Sequence, residues 1–405
     1  MTGAMDVSRL RQDFPVLRKR EIVYLDNACQ TLRPQCVIDA VTEYYREYPA
    51  CGGRSVHRLA TKVSIELDQA RETMASFLGA PGEDCIIFTK NCTESINMVA
   101  QGLDWKRGDV VMTTDLEHNS NHAPWLELQE SRGLERVIVP TAPDGSFDLD
   151  AYQDSFRKGV KLVSMGHASN ITGGSIPARA VVEIAHDKGA KVLLDGAQAA
   201  PHQPVDVSAI GADFYAISGH KMMGPSGVGI LCGEEEALEE LKPLMLGGGT
   251  IARADYESIT LAPVPERLEP GLANYSGIIG TAAAAKYLMA IGMDAVENHE
   301  KELQLLIQER LEELPGLSII GSEDPAERGG VFSFNLLNLS SHDVAMMLDE
   351  MDGVLIRSGM HCVHPYFLAR GLKGCARASS YIYNDAEDIN RLMDALQVVC
   401  DTFSK

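Results

Sequence analysis

Lys221 and Asp195 are the first residues whose types and surroundings invite chemistry. Lys221 stands just beyond an apolar run, in Ser218-Gly219-His220-Lys221, and glycines follow that let the backbone turn tightly. A lone lysine in a turn is ordinarily a solvated surface residue. A lysine beside a hydroxyl and an imidazole, both able to donate to a phosphate, is instead suited to Schiff-base chemistry. Asp195 lies 26 residues upstream and ends the apolar run KVLLD. A carboxylate there is costly unless something positive meets it. A pyridinium nitrogen is such a partner, and Gln198, three residues on, could donate to a phenolic ring oxygen. Lys221, Asp195, Gln198, Ser218 and His220 together carry the signature of a pyridoxal 5'-phosphate site.

Further candidates follow other apolar runs. In FTKNCTESINMVA (88–100) the chain passes through Asn91, Cys92 and Thr93 into a helical pattern. Free backbone N–H groups there, with the Thr93 hydroxyl, could cradle a phosphate, although any capped helix looks similar. His118, in TDLEHNSNHAPW (114–125), could stack on a pyridine ring. Asn170, after KLVSMGHAS, could reach the phenolic oxygen or the substrate.

The elements that must position these residues alternate from about 85 to 233. CIIFT (85–89), DVVMTTD (109–115), ERVIVP (135–140), KLVSMG (161–166), KVLLDGA (191–197), DFYAIS (213–218) and GVGILC (227–232) are strand-like. Amphipathic helical patterns follow most of them. Near-continuous apolar strands between helices predict an α/β fold whose mostly parallel sheet is covered on both faces, with ligands beyond the carboxyl ends of the strands. The C-terminal part reads as a smaller α+β unit. Its closing helix would start at Asn384 as N-cap, with Glu387 as a capping-box variant. The glycine- and proline-rich stretch 247–271 reads as a long loop, and the acidic run Glu234–Glu240 as a solvated helix face.

Composition narrows the class. The 405 residues are 45% hydrophobic and 23% charged, ordinary for globular domains. Acidic residues outnumber basic ones 57 to 36, a formal charge of −21, so nucleic acid and anionic membrane surfaces are poor partners. No apolar run approaches the ~20 residues a bilayer needs. The first twenty residues lack the apolar centre of a signal peptide. The nine cysteines are expected to be reduced thiols in a cytoplasmic protein. Cys36, Cys85, Cys232, Cys375 and Cys400 are expected in the core; Cys29, near the expected site mouth, and Cys92, at the phosphate cradle, could be redox-sensitive but are expected as small packing residues.

In order, these segments resemble the fold-type I pyridoxal-phosphate enzymes of the class V aminotransferase group, and within it the SufS-type (group II) cysteine desulfurases. The resemblance runs from DFPVL and YLDNA (13–28) through RSVH (54–57), LEHNSNHAPW, DGAQAAPHQPVDV, SGHKMMGPSGVGIL and SGIIG to RSGMHC (357–362) and CARASSYIYN (375–384). It implies a large cofactor-binding domain over 18–287 with a seven-stranded sheet. A small domain of 1–17 and 288–405 would carry the loop of a nucleophilic cysteine. Lys221 matches the cofactor-bearing lysine, Asp195 the pyridinium partner, Gln198 and Asn170 the phenolic-oxygen contacts, and His118 the stacking histidine. Cys92, Thr93, Ser218 and His220 fall at the phosphate. Cys362 matches the nucleophile and Arg377 the clamp on the substrate carboxylate. Arg357, and Arg54 with His57 from the partner subunit of a homodimer, match residues at the entrance.

Two positions depart from the family pattern. Leu272, in EPGLAN, stands where a threonine usually reaches the neighbouring subunit's phosphate, leaving Tyr275 or Ser276 to substitute. Met360-His361 replaces the usual histidine pair before the cysteine. The resemblance implies conversion of L-cysteine to L-alanine. Sulfur would pass to Cys362 as a persulfide and on to an acceptor protein, SufE- or SufU-like or a cluster scaffold, for iron–sulfur cluster assembly. Cys362 distinguishes this from a selenocysteine lyase, another carbon–sulfur lyase or an epimerase on the same fold, none of which needs a protein thiol. A metal at His361-Cys362-x-His364 is the rival use of these residues and lacks an evident fourth ligand.

Overall fold

The computed structural model describes residues 5–19, 21–53 and 55–404, so Arg54 lies outside the described residues. Seven strands form the central sheet: β1 (Ile86–Thr89), β2 (Val110–Thr114), β3 (Glu135–Val139), β4 (Val160–Gly166), β5 (Lys191–Asp195), β6 (Phe214–Ser218) and β7 (Gly229–Gly233). Their order is β1-β7-β6-β5-β4-β2-β3. β7 pairs antiparallel with both neighbours and the other pairs are parallel, as expected for a mostly parallel sheet. All residues of β1, β2, β6 and β7 are buried, because helices cover both faces. β3 is an edge strand and only Val139 in it is fully buried. The carboxyl ends of β1 to β6 therefore share one edge, and every candidate after a strand is delivered there.

The stretch 247–271 is not wholly a loop. It contains an antiparallel pair, β8 (Ile251–Ala254) and β9 (Ile259–Leu261), with a bulge between Thr260 and Leu261. Its side chains are largely exposed, so the hydrophobic alternation that marks a half-buried strand is missing from the sequence.

A second, antiparallel sheet comprises β10 (Leu317–Ile320), β11 (Val331–Leu336), β12 (Arg357–Gly359) and β13 (Cys375–Ser379), in the order β10-β11-β13-β12. Strand alternation explains its two faces. Phe332, Phe334, Ala376 and Ala378 pack in a core with Leu392, Leu396 and other residues of the last helix. Ser333 and Arg377, which are partners in register, take the opposite face, and Arg377 also pairs with Arg357. That register brings two guanidinium groups side by side at the edge facing the central sheet.

The N-terminal segment joins the two sheets. Val23 and Tyr24 pair with Val354 and Leu355, and Asp26 bridges to Ser379. Near the N-terminus, Arg11 is buried against Asp388 at 2.6 Å and donates to the Tyr383 carbonyl. Removing one partner of such a pair typically costs about 3–5 kcal/mol. The last helix, Ala386–Phe403, is capped one residue later than its sequence suggests. Asp385 and Asp388 form the capping box, while Asn384 accepts from the Tyr381 N–H and donates to Tyr24 O. Among the described residues no single helix is long and apolar enough to cross a membrane.

Candidate active site

Among the described residues, each one assigned to cofactor, substrate or catalysis lines one cavity of about 560 Å³, except His57. His57 is exposed and caps the helix Arg58–Leu78, its Nδ1 accepting from the Ala60 N–H at 3.3 Å. It does not line its own chain's cavity.

The floor is built by strand ends. Asp195 closes β5, and its Oδ1 accepts from Ala197 N at 3.0 Å and from Cys92 Sγ at 3.1 Å. Its Oδ2 accepts no hydrogen bond among the described residues. Lys221 follows β6 in a 3-10 turn, and its Nζ makes no hydrogen bond among the described residues. Burial pulls its amine below the ordinary lysine range, against the opposing pull of Asp195. A lysine so shifted is nearer the neutral form that attacks carbonyl carbon. The Cys92 N–H, at the start of the helix Cys92–Gly102, donates to Ser218 Oγ at 3.0 Å. Thr93 Oγ1 lies 2.7 Å from Ser120 Oγ, so its hydroxyl is tied to the His118 turn.

Burial disfavours the charged form of three site histidines, His118, His220 and His361. His118 Nδ1 accepts from the Ser120 N–H at 3.1 Å, which puts the ring proton on Nε2. Burial, then the charge of Lys221, pushes its pKa down to about 4. His220 is lowered to about 4 and His361 to about 3, both chiefly by burial. A neutral, flat imidazole suits stacking on an aromatic ring.

The roof belongs to the second sheet. Arg377 is buried, donates to Asn170 O at 3.0 Å and pairs with Asp26 at 3.2 Å, leaving its Nε without a partner. Cys362 is half-buried on the loop after β12. His361 and Cys362 both adopt left-handed backbone, φ 47° and 60°, uncommon for residues with a Cβ and concentrated at functional sites. Asn119 N donates to Cys362 O at 2.7 Å, and Asn170 Nδ2 to His361 O at 2.9 Å. Asn119 Nδ2 meets His364 Nδ1 at 2.8 Å. The cysteine loop is therefore fastened to the central-sheet side at three points.

Several polar atoms here are employed differently from their sequence assignments. Asn170 holds the cysteine loop, and Gln198 Nε2 donates to Ala28 O at 2.7 Å while its Oε1 is buried without a partner. Ser276 and Tyr275 serve their own chain, through Tyr45 and the Gly52 carbonyl, and Leu272 is exposed. Cys36 is exposed rather than in the core. Glu117 carries no assignment from sequence, yet it is buried at this edge and accepts from Thr114, Asn121 and the Gly166 N–H. The strand-end argument that selected Asp195 applies equally to it. Burial raises its pKa to about 7.

That shift predicts a pH signature. An unfolded glutamate titrates near 4.5 and the folded one near 7, so the native state holds the extra proton between them. Stability from this group is present below pH 4.5 and is lost as pH rises to 7. Glu117→Gln has no such term. Its stability deficit against the unaltered protein should shrink by on the order of 3 kcal/mol from pH 5 to 8, read from urea midpoints. A constant deficit would show that Glu117 is ionised throughout.

The cavity fits pyridoxal phosphate. It offers an unpartnered carboxylate oxygen at a strand end, a lysine without a hydrogen bond, and a helix start beside a serine and an imidazole. The Aminotransferase class-V family matches residues 23–392, and the chain belongs to that family of pyridoxal-phosphate enzymes. A probable cysteine desulfurase of Streptomyces coelicolor is 39% identical over all of this chain and 99% of its own length. A cysteine desulfurase of Haloferax volcanii is 36% identical over 99% of this chain and 98% of its own length. The apo structure of a cysteine desulfurase from Thermococcus onnurineus superposes with a TM-score of 0.95 at 36% identity, covering both chains completely.

Proposed function

We propose that this chain is a cysteine desulfurase that converts L-cysteine to L-alanine and takes the sulfur onto Cys362 as a persulfide. The observation that carries the reading is a cysteine on a fastened, left-handed loop in the same cavity as Lys221, Asp195 and Arg377. A lyase of this fold would need only the latter three.

The cofactor, when bound, supplies an electron sink for the pair left when a proton leaves the substrate α-carbon. Lys221 would anchor it and then move that proton, Asp195 would pair with its ring nitrogen, and His118 would lie against the ring. Gln198 and Asn170 would reorient toward its phenolic oxygen, and Cys92 N–H, Thr93, Ser218 and His220 would hold the phosphate. Arg377 takes the substrate carboxylate, for which a planar fork is suited, and Arg357 lines the approach. The SufS-type branch, homodimerisation with Arg54 and His57 completing the partner's site, and delivery to an acceptor for iron–sulfur clusters belong to the same proposal. So do a cytoplasmic location and a division into 18–287 against 1–17 with 288–405.

The defining test is joint appearance of alanine and protein-bound persulfide from L-cysteine. Alanine alone, or hydrogen sulfide with pyruvate, would reject the reading. Arg377→Ala should raise KM for cysteine about 10- to 100-fold, the size of a lost charged hydrogen-bond pair. Arg377→Lys should recover part of that loss, keeping the charge without the fork. An unchanged KM would assign the carboxylate to another group.

A further inference from the structure

Three thiols line the cavity, those of Cys29, Cys92 and Cys362. Cys92 is buried and gives its S–H to Asp195, and burial drives its pKa well up, so it is inert. Cys29 differs from the core cysteines Cys85, Cys232, Cys375 and Cys400, which are buried. It is half-buried, on the turn where Cys29 N and Gln30 N donate to Asp26 O and Ala28 N donates to Ser379 Oγ. Arg357 Nη1 donates to its sulfur. Arg357 begins β12, the strand that runs directly into the Cys362 loop. Arg357 and the buried Arg377, register partners on β12 and β13, line the same cavity as this thiol. A thiolate is the nucleophile of sulfur chemistry, and a contacting guanidinium is its natural counter-charge.

Resting on the desulfurase reading, we infer that Cys29 is a second sulfur-carrying thiol of this site, loaded from the Cys362 persulfide. The Cys29 thiolate attacks the outer sulfur of Cys362–S–SH. A bond forms between Cys29 Sγ and that sulfur, the Cys362 Sγ–S bond breaks, and Cys362 leaves as a thiolate. The outer sulfur keeps its proton, one anion replaces another, and no oxidant or reductant is consumed. The extra S–S bond extends the reach of Cys362 by ~2 Å within the cavity that Cys29 also lines. The exchange returns Cys362 to service before an acceptor arrives, so the chain stores a second sulfur.

The holoenzyme is given a few equivalents of L-cysteine without acceptor or reductant, alkylated, digested and mapped by mass spectrometry. The peptides of both Cys29 and Cys362 should carry one added sulfur, about two per chain. In Cys29→Ser, and in Cys29→Ala as a second variant, the total should halve with Cys362 still loaded. In Cys362→Ser neither peptide should carry sulfur. A sulfur-free Cys29 peptide in wild-type protein with Cys362 loaded overturns the inference and leaves the desulfurase reading intact. Sulfur on Cys29 in Cys362→Ser also overturns it, since Cys29 would then draw directly on substrate. An unloaded Cys362 in wild-type protein sinks both.

Discussion

Lys221→Ala should lose at least about 10³-fold in turnover of L-cysteine, within the range for removing a positioned proton-transfer group. The physical reason is that, in the proposed function, one amine has two tasks. It must anchor the cofactor, which needs a neutral nucleophile, and it must then move the substrate α-proton, which needs a base held in place. Burial at the end of β6 lowers its pKa for both. The proposed phosphate and ring contacts are assigned to other residues, so the variant should retain the cofactor by dialysis and absorbance while losing activity. Borohydride reduction of the wild-type holoenzyme should fix the cofactor to the Lys221 peptide. Lys242 is a useful contrast, largely exposed and paired with Asp104 at 3.0 Å, and should carry none. A label on Lys242, or an active Lys221→Ala, would refute the assignment.

Much of this site was legible because α/β sheets concentrate chemistry at strand ends. Asp195, Lys221, His118 and Asn170 each follow an apolar run, and the sheet brings all four to one edge. The seven runs correspond to the seven strands, with boundaries shifted by one or two residues. What could not be read depends on contacts between distant segments. Arg357 beside Arg377 requires the register of β12 and β13. The Arg357 contact with Cys29 spans more than three hundred residues, and the packing role expected for Cys29 overlooked a cation that strand pairing alone could supply. Glu117 has local partners in Thr114 and Asn121, but its burial and its bond from the Gly166 N–H depend on the neighbouring strand. The β8–β9 hairpin is exposed and glycine-flanked, so neither hydrophobic alternation nor composition announces it. The shift of the helix cap from Asn384 to Asp385 has a local cause. Two adjacent residues can each cap, and the one that also braces Tyr24 and Tyr381 is withdrawn from the task.

Cys362→Ser should release alanine from L-cysteine on the order of 10³-fold more slowly than the unaltered enzyme, with cofactor content unchanged. Serine is close to isosteric and fits the same left-handed position, and the loop's three fastenings use backbone carbonyls and His364 rather than the thiol. The substitution should therefore leave the cavity intact and remove only the sulfur nucleophile. A neutral hydroxyl is a far poorer acceptor of sulfur than a thiolate. Because Lys221 and Arg377 are untouched, the variant should still bind L-cysteine and exchange its α-proton with deuterated water. That separates proton removal from sulfur departure. Selenocysteine should be spared in part, since its carbon–selenium bond is weaker and selenide leaves more readily without a protein nucleophile. Should Cys362→Ser form alanine at the wild-type rate, sulfur would be departing without the loop thiol. The chain would then be a carbon–sulfur lyase whose cysteine serves another purpose.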